Sequence, residues 1–166
     1  FINESGESAV SQLLSNNNIT GGYESVPRAT QEDTYAFISD EGTWAYFDYS
    51  GQMLFDTHIP LRSDVYEGWA VLDIGQFSQG IAWFVNEVAT EDGSSSDYLI
   101  GYFDKNGTII SDAKFQSLSD SYEIVAGGFS QDGYALVRES NMFGVIDRSG
   151  NYVITPQYFG LQVLTE

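Results

Sequence analysis

Met142-Phe143-Gly144-Val145-Ile146-Asp147-Arg148-Ser149-Gly150 decides how this chain is read, because related stretches stand at Trp44-Ala45-Tyr46-Phe47-Asp48-Tyr49-Ser50-Gly51 and Ile100-Gly101-Tyr102-Phe103-Asp104-Lys105-Asn106-Gly107. Each is a short run of large apolar residues closed by Asp-x-x-Gly. That ending is turn chemistry, since an Asp carboxylate bonds nearby backbone amides and Gly accepts a positive φ. Three such units make a repeat protein. Asp48, Asp104 and Asp147, with Gly51, Gly107 and Gly150, are therefore expected as structural turn residues.

Working outward, Tyr35 to Gly51 aligns without a gap on Tyr134 to Gly150 at a constant offset of 99. The shared pattern predicts a strand, a hairpin-sized connection (Asp40-Glu41-Gly42 or Glu139-Ser140-Asn141), a second strand, the Asp turn and a third strand. In the middle copy Ala82 precedes Asp104 by 22 residues where the others have 12, so ten residues are inserted. The insertion contains Thr90-Glu91-Asp92-Gly93-Ser94-Ser95-Ser96-Asp97, the composition of an elongated hairpin tip. Bridges holding Trp69-Ala70-Val71-Leu72 and Glu123-Ile124-Val125-Ala126 are expected to add a fourth strand to a unit. The turn aspartates are 56 and 43 residues apart, a spacing of repeat arrays, and helical periodicity is nowhere sustained. The fold class that follows is all-β: tandem antiparallel β-meander repeats, about three to four units, in an open twisted array or a packed sheet domain. One domain over 1–166 is expected, with 1–34 as a degenerate first unit or cap and units at 35–80, 81–128 and 129–166.

Composition narrows the partners. The 166 residues carry 24 acidic and six basic side chains, for a formal charge of −18. Nucleic-acid binding needs a basic stripe to displace counterions, and the six cations form none. Such a charge favours a cationic partner, a metal ion or a neutral ligand such as a glycan, and a saline habitat would select for it as well. Without cysteine there are no disulfides, thiolate metal sites or thiol nucleophiles. No apolar run reaches the roughly 18 residues of a membrane helix, so no membrane insertion is expected. The abrupt start at Phe1-Ile2-Asn3 reads as a processed form or a piece of a longer protein.

The third unit, Phe129-Ser130, Gly133, Ala135 and Val137 followed by Phe143-Gly144-Val145-Ile146-Asp147, Gly150, Val153-Ile154, Pro156 and Tyr158, resembles the WG-repeat family of bacterial proteins. Units of that family follow F-S-x-G-x-A-x-V and then W-G-(Y/F)-I-D-x-x-G-x-x-V-I-x-P-x-Y. The name-giving pair departs, since the copies read Trp44-Ala45, Ile100-Gly101 and Phe143-Gly144. The resemblance implies an all-β repeat module, found in secreted or envelope proteins, with no catalytic residues to carry over.

Three aspartates at one motif position invite a calcium reading, but an EF-hand loop beginning at Asp104 needs Gly and Glu where Ile109 and Phe115 stand. His58, the one histidine, is expected in the loop before Pro60, and no Gly-x-Ser-x-Gly elbow accompanies it. No enzyme activity, metal or cofactor is therefore expected. Trp44, Phe47, Phe103 and Phe143 recur in register and are expected in the core. Candidate binding residues are those that do not recur: Trp69, Trp83, Tyr49, Tyr98 and Tyr122, with Glu91 and Asp92 of the insertion. The functional expectation is a protein-binding repeat module outside the cell or in its envelope. The alternatives are a carbohydrate-binding module using exposed aromatics and an architectural spacer.

Overall fold

A computed structural model describes residues 28–29, 32, 34–39, 41–48, 52–60, 74–89, 96–120 and 124–160. The chain divides into two compact units, Phe1–Ser63 and Asp64–Glu166, and every described element is a β-strand. Of the expected first unit or cap over 1–34, most lies outside the described residues, as does the bridge Trp69 to Leu72.

In the first unit, β1 (Arg28–Ala29), β2 (Thr34–Ile38), β3 (Thr43–Asp48) and β4 (Met53–Pro60) form one antiparallel sheet in that order. The meander β2–β3–β4 is the predicted repeat. Trp44, Ala45, Tyr46 and Phe47 are all buried, so β3 is enclosed on both faces, and Phe37 meets Phe47 edge-on at 5.7 Å. His58 lies inside β4 rather than in a loop, with a φ of 58°. The pairing explains it: Thr43 faces Pro60 while Ala45 faces Asp56, so β4 bulges between them. Thr57 bridges the bulge by donating to the Trp44 carbonyl at 2.6 Å.

The second unit holds two more meanders, β5 (Ile81–Ala89), β6 (Ser96–Asp104) and β7 (Ile109–Phe115), then β8 (Tyr134–Glu139), β9 (Met142–Asp147) and β10 (Tyr152–Tyr158). Thr90 to Ser95 of the expected insertion lie outside the described residues, and its described flanks are strand: β5 and β6 pair without a slip from Ile81↔Asp104 to Ala89↔Ser96. Thus the hairpin lengthens by added ladder pairs. Ile124 to Ala126 forms no strand, contrary to expectation. The following Gly127 lies so close beneath the Leu136 carbonyl that a Cβ would collide with it, and Tyr102 Oη donates to Gly127 O at 2.9 Å. Pinned in this way, the bridge runs as a loop, closed by Leu118 N–H donating to Val125 O at 2.8 Å.

The two sheets share one core, built by Ile81, Val85, Ile100, Tyr102 and Phe115 on one side and Phe129, Ala135, Val137 and Ile146 on the other. In β6 the residues alternate. Ile100 and Tyr102 face this shared core, while Phe103 on the opposite face packs on Phe77 and Phe84 at 6.0 and 5.6 Å. In β9 the roles are reversed: Ile146, the counterpart of Phe103, enters the shared core. Phe143, the counterpart of Ile100, then falls on the outer face. It is half-buried, with the Arg138 guanidinium 5.6 Å from its ring centroid, which corrects its expected core placement.

The Gly of each W-G position is explained by the third strand. Pairing of β9 with β10 slips twice between Tyr152 and Tyr158, and the bent strand brings the Ile154 carbonyl over Gly144, where a Cβ would lie 2.6 Å from it. The same register position recurs one repeat earlier, with a Gly101 Cβ 2.8 Å from the Ser111 carbonyl. Such contacts leave no room for a side chain. Gly144→Ala should cost about 1–3 kcal/mol by overpacking, whereas Gly128→Ala, which meets nothing within 4 Å, should change stability by less than ~0.5 kcal/mol. Urea unfolding of both variants checks the contrast.

Candidate functional site

The turn aspartates act on their own backbone. Asp104 Oδ1 accepts from Asn106 N–H at 2.8 Å and Thr108 N–H at 2.9 Å, while Asp147 Oδ1 accepts from Ser149 and Asn151 N–H at 2.8 and 3.0 Å. Asp48 repeats the bond with Gln52 N–H at 3.0 Å. Gly107 and Gly150, at φ of 79° and 77°, each donate to the Asp carbonyl three residues earlier. This is a type I turn followed by a glycine bulge, the three-residue hairpin loop. Gly51 lies outside the described residues. Partial burial pushes the Asp104 carboxyl upward, but amide bonds from Thr108 and Asn106 outweigh it and the net displacement is downward. At Asp147 the Asn151 amide is the largest influence and lowers the pKa.

A built polar site lies where the lengthened hairpin meets the second meander of this unit. A cleft of about 220 Å3 is lined by Asp97, Tyr98 and Leu99 of β6, Gln116, Ser117, Ser119 and Asp120 of the following loop, and Arg138 and Asn141 at the β8–β9 turn. Three backbone devices position these side chains. Gln116 N–H donates to Arg138 O at 2.7 Å, tying the end of β7 to β8. Ser140 and Asn141 at φ of 51° and 62° make the two-residue turn that suits a hairpin's twist, and Asn141 N–H donates to Gln116 Oε1 at 2.7 Å. Ser117 Oγ accepts from Val125 and Ser119 N–H, which shapes the loop.

Arg138 is the chemical centre of the cleft. Its side chain is 14% exposed, with Nη1 2.6 Å from Asp120 Oδ1 and 3.3 Å from Ser117 O, and Nη2 3.4 Å from Asn141 Oδ1. Its buried Nε has no hydrogen-bond partner among the described residues. The Asp120 side chain is 87% exposed, so this arm of the pair is open to exchange. Guanidinium, hydroxyls, amides and a tyrosine edge make a hydrogen-bonding recognition surface.

Of the candidate binding residues, the structure brings Tyr98 to this cleft, 36% exposed. Trp83 lies elsewhere and is half-buried. Its ring fills the space beside Gly75, whose N–H donates to Trp83 O at 2.8 Å. Tyr49, Trp69, Glu91, Asp92 and Tyr122 lie outside the described residues. Arg138, Asp120, Gln116 and Asn141 were missed by a reading centred on aromatics. The available signal was alignment on Ala82 and Ala135, which sets Arg138 against apolar Val85. His58 sits apart in the first unit, where Asp56 Oδ1 accepts its N–H at 2.6 Å.

The motif positions now have physical roles, and a family comparison matches them. Residues 100–142 and 143–158 each match the sequence profile of the WG containing repeat, and both matches begin at the residue pair whose Gly lies under the bent third strand. The segment from 100 to 158 is assigned to the WG-repeat family. The WG match spans β6 to β10 and thus the cleft as well. No match to the chain was found among curated proteins.

Two outcomes follow for the turns. Asp104→Ala should cost about 1 kcal/mol at neutral pH, the net worth of a hydrogen bond or two. Because the folded-state pKa values of Asp104 and Asp147 are lowered, their contribution is present above the unfolded value of about 4 and is lost as pH falls through the folded values. Urea midpoints should therefore drop on acidification below about pH 4, and the drop should be shallower in the Asp104→Asn/Asp147→Asn double variant.

Proposed function

We propose that this chain is a non-enzymatic protein-binding module of a secreted or cell-envelope bacterial protein, and that the Arg138 cleft is its contact surface. One observation carries the reading: two of the parts in which the repeats differ meet at one cleft. The lengthened hairpin supplies Asp97, Tyr98 and Leu99, and the substituted strand position supplies Arg138. The repeated parts are occupied by turns and packing. Partner recognition favours an interface of this kind, in which a tyrosine and an arginine sit among adaptable polar groups. A strongly acidic surface suits a partner that is cationic or neutral away from Arg138.

A carbohydrate-binding role rests on a platform of exposed rings, and the half-buried Trp83 supports it less well than the polar cleft supports protein recognition. A spacer would have no need of a lengthened hairpin. The test is capture by the immobilised chain of a protein from the culture fluid or envelope of its source cells. Tyr98→Ala and Asp120→Ala, both at exposed side chains, should weaken that capture by tenfold or more while leaving the urea midpoint unchanged. Glycan-array binding that depends on Tyr98 would instead favour the sugar ligand, and capture unaffected by both variants would remove the cleft from the function.

A further inference from the structure

The end of the β8–β10 meander that carries its Asp turn departs from the other meanders at three neighbouring positions. The residue facing the turn aspartate is Thr34 opposite Asp48, Ile81 opposite Asp104 and Tyr134 opposite Asp147. Thr34 and Ile81 are buried, whereas Tyr134 is 41% exposed. The loop leading to that residue holds Gln79 and Gly80 between Ser78 and Ile81, but Gln131, Asp132 and Gly133 between Ser130 and Tyr134. The residue after the turn aspartate is Tyr49, Lys105 or Arg148. Asp132, Tyr134 and Arg148 line one open cleft of about 340 Å3, together with Asp147 and Ser149. Its volume falls within the range of small-ligand sites. Tyr134 opens β8, and Arg138 stands near the other end of that strand, so the two clefts are separate.

Arg148 is held in place before any ligand arrives. Its stem runs over Gly133, where a Cβ would lie 2.8 Å from Nε. Its Nη2 donates to Gln79 Oε1 at 3.1 Å and to Gln131 O at 3.4 Å. Gln79 belongs to the loop before β5, so the preceding meander helps to orient the guanidinium. Both acceptors are neutral, and Nη1 has no acceptor among the described residues. A fixed donor therefore stands beside an open tyrosine ring and the Asp132 carboxylate. Charge then selects the ligand. Asp132 and Asp147 flank Arg148 in a chain of formal charge −18, which opposes an anion, and the guanidinium between them opposes a cation. A neutral ring that carries hydroxyls can accept from Nη1, donate to Asp132 and lay its C–H face on Tyr134. We infer that this cleft binds a neutral sugar ring of a glycan, with Tyr134 as the stacking surface, Arg148 as donor and Asp132 as acceptor. The protein-binding reading of the Arg138 cleft does not depend on it.

The test is an amide NMR titration of the full 166-residue chain with neutral trisaccharides of glucose, galactose, mannose and N-acetylglucosamine. Trigalacturonate and the glucosamine trimer serve as anionic and cationic probes. At least one neutral trisaccharide should shift the Gly133, Tyr134 and Ser149 amides saturably in the millimolar range. Tyr134→Ala and Asp132→Ala should each raise its Kd about tenfold at an unchanged urea midpoint, while Tyr134→Phe, which keeps the ring, should leave it within about threefold. Asp132→Ala lies in the loop and so reads the site independently of the strand. The inference is overturned if no neutral trisaccharide moves these amides, or if the shifts are confined to Tyr98 and Asn141. A Kd that ignores both alanine variants, or tighter binding of either charged trimer, would overturn it as well.

Discussion

A carbonyl oxygen lying over a glycine is the contact on which each described meander of the second unit depends. At Gly144 the third strand bends until its own main chain occupies the space of a side chain, and at Gly101 the Ser111 carbonyl shares that space with the Phe84 ring. This bend requires the slips in pairing seen between β6 and β7 and between β9 and β10. The first unit carries Ala45 and a bulge of the same size, Thr57 to Ile59, placed one residue earlier, opposite Trp44. A methyl group is accommodated there because Ala45 keeps Asp56 as its ladder partner and the extra residues of β4 face Trp44 instead.

The Asp turns are a second consequence of the same economy. A carboxylate that accepts two amides within its own loop fixes the hairpin at the point where the strand must reverse. That leaves the central strand free to be apolar on both faces, as in Trp44 to Phe47 and Ile100 to Phe103. Strands buried on both sides are usual in sheets sandwiched between layers. In β6 the layers are the β8–β10 meander and the aromatic residues of the connecting loops, with Phe77 beneath Phe103 and Phe129 against Tyr102. Burial pushes the Tyr102 phenol upward, and its bond to Gly127 O keeps the hydroxyl satisfied inside this packing.

Much of this was legible because turn chemistry and repetition are local. Asp-x-x-Gly named the loops, the offset of 99 aligned the first and third meanders, and a ten-residue excess located the long hairpin. The sequence was less informative wherever two segments distant in the chain meet. Phe143 shares its motif position with Ile100, yet one lies on the outer face and the other inside, because the β8–β10 meander packs over Ile100 and no described meander packs over Phe143. Ile124 to Ala126 has a strand's composition but is held off any sheet edge by the close approach of Gly127 to Leu136. The cleft was hidden for a related reason. Its members come from β6, the loop after β7 and the turn after β8, and no pattern of spacing joins Tyr98, Asp120 and Arg138.

The long hairpin was added without a slip, residue facing residue from Ala89↔Ser96 back to Ile81↔Asp104. Growth of this kind is symmetric about the hairpin axis. Whole ladder pairs can be gained or lost at the distal end while Ala82 and Phe103 keep their faces and their neighbours. The hairpin is thus a length-tolerant port in an otherwise rigid lattice, a place where a lineage could graft new recognition sequence without renegotiating the core.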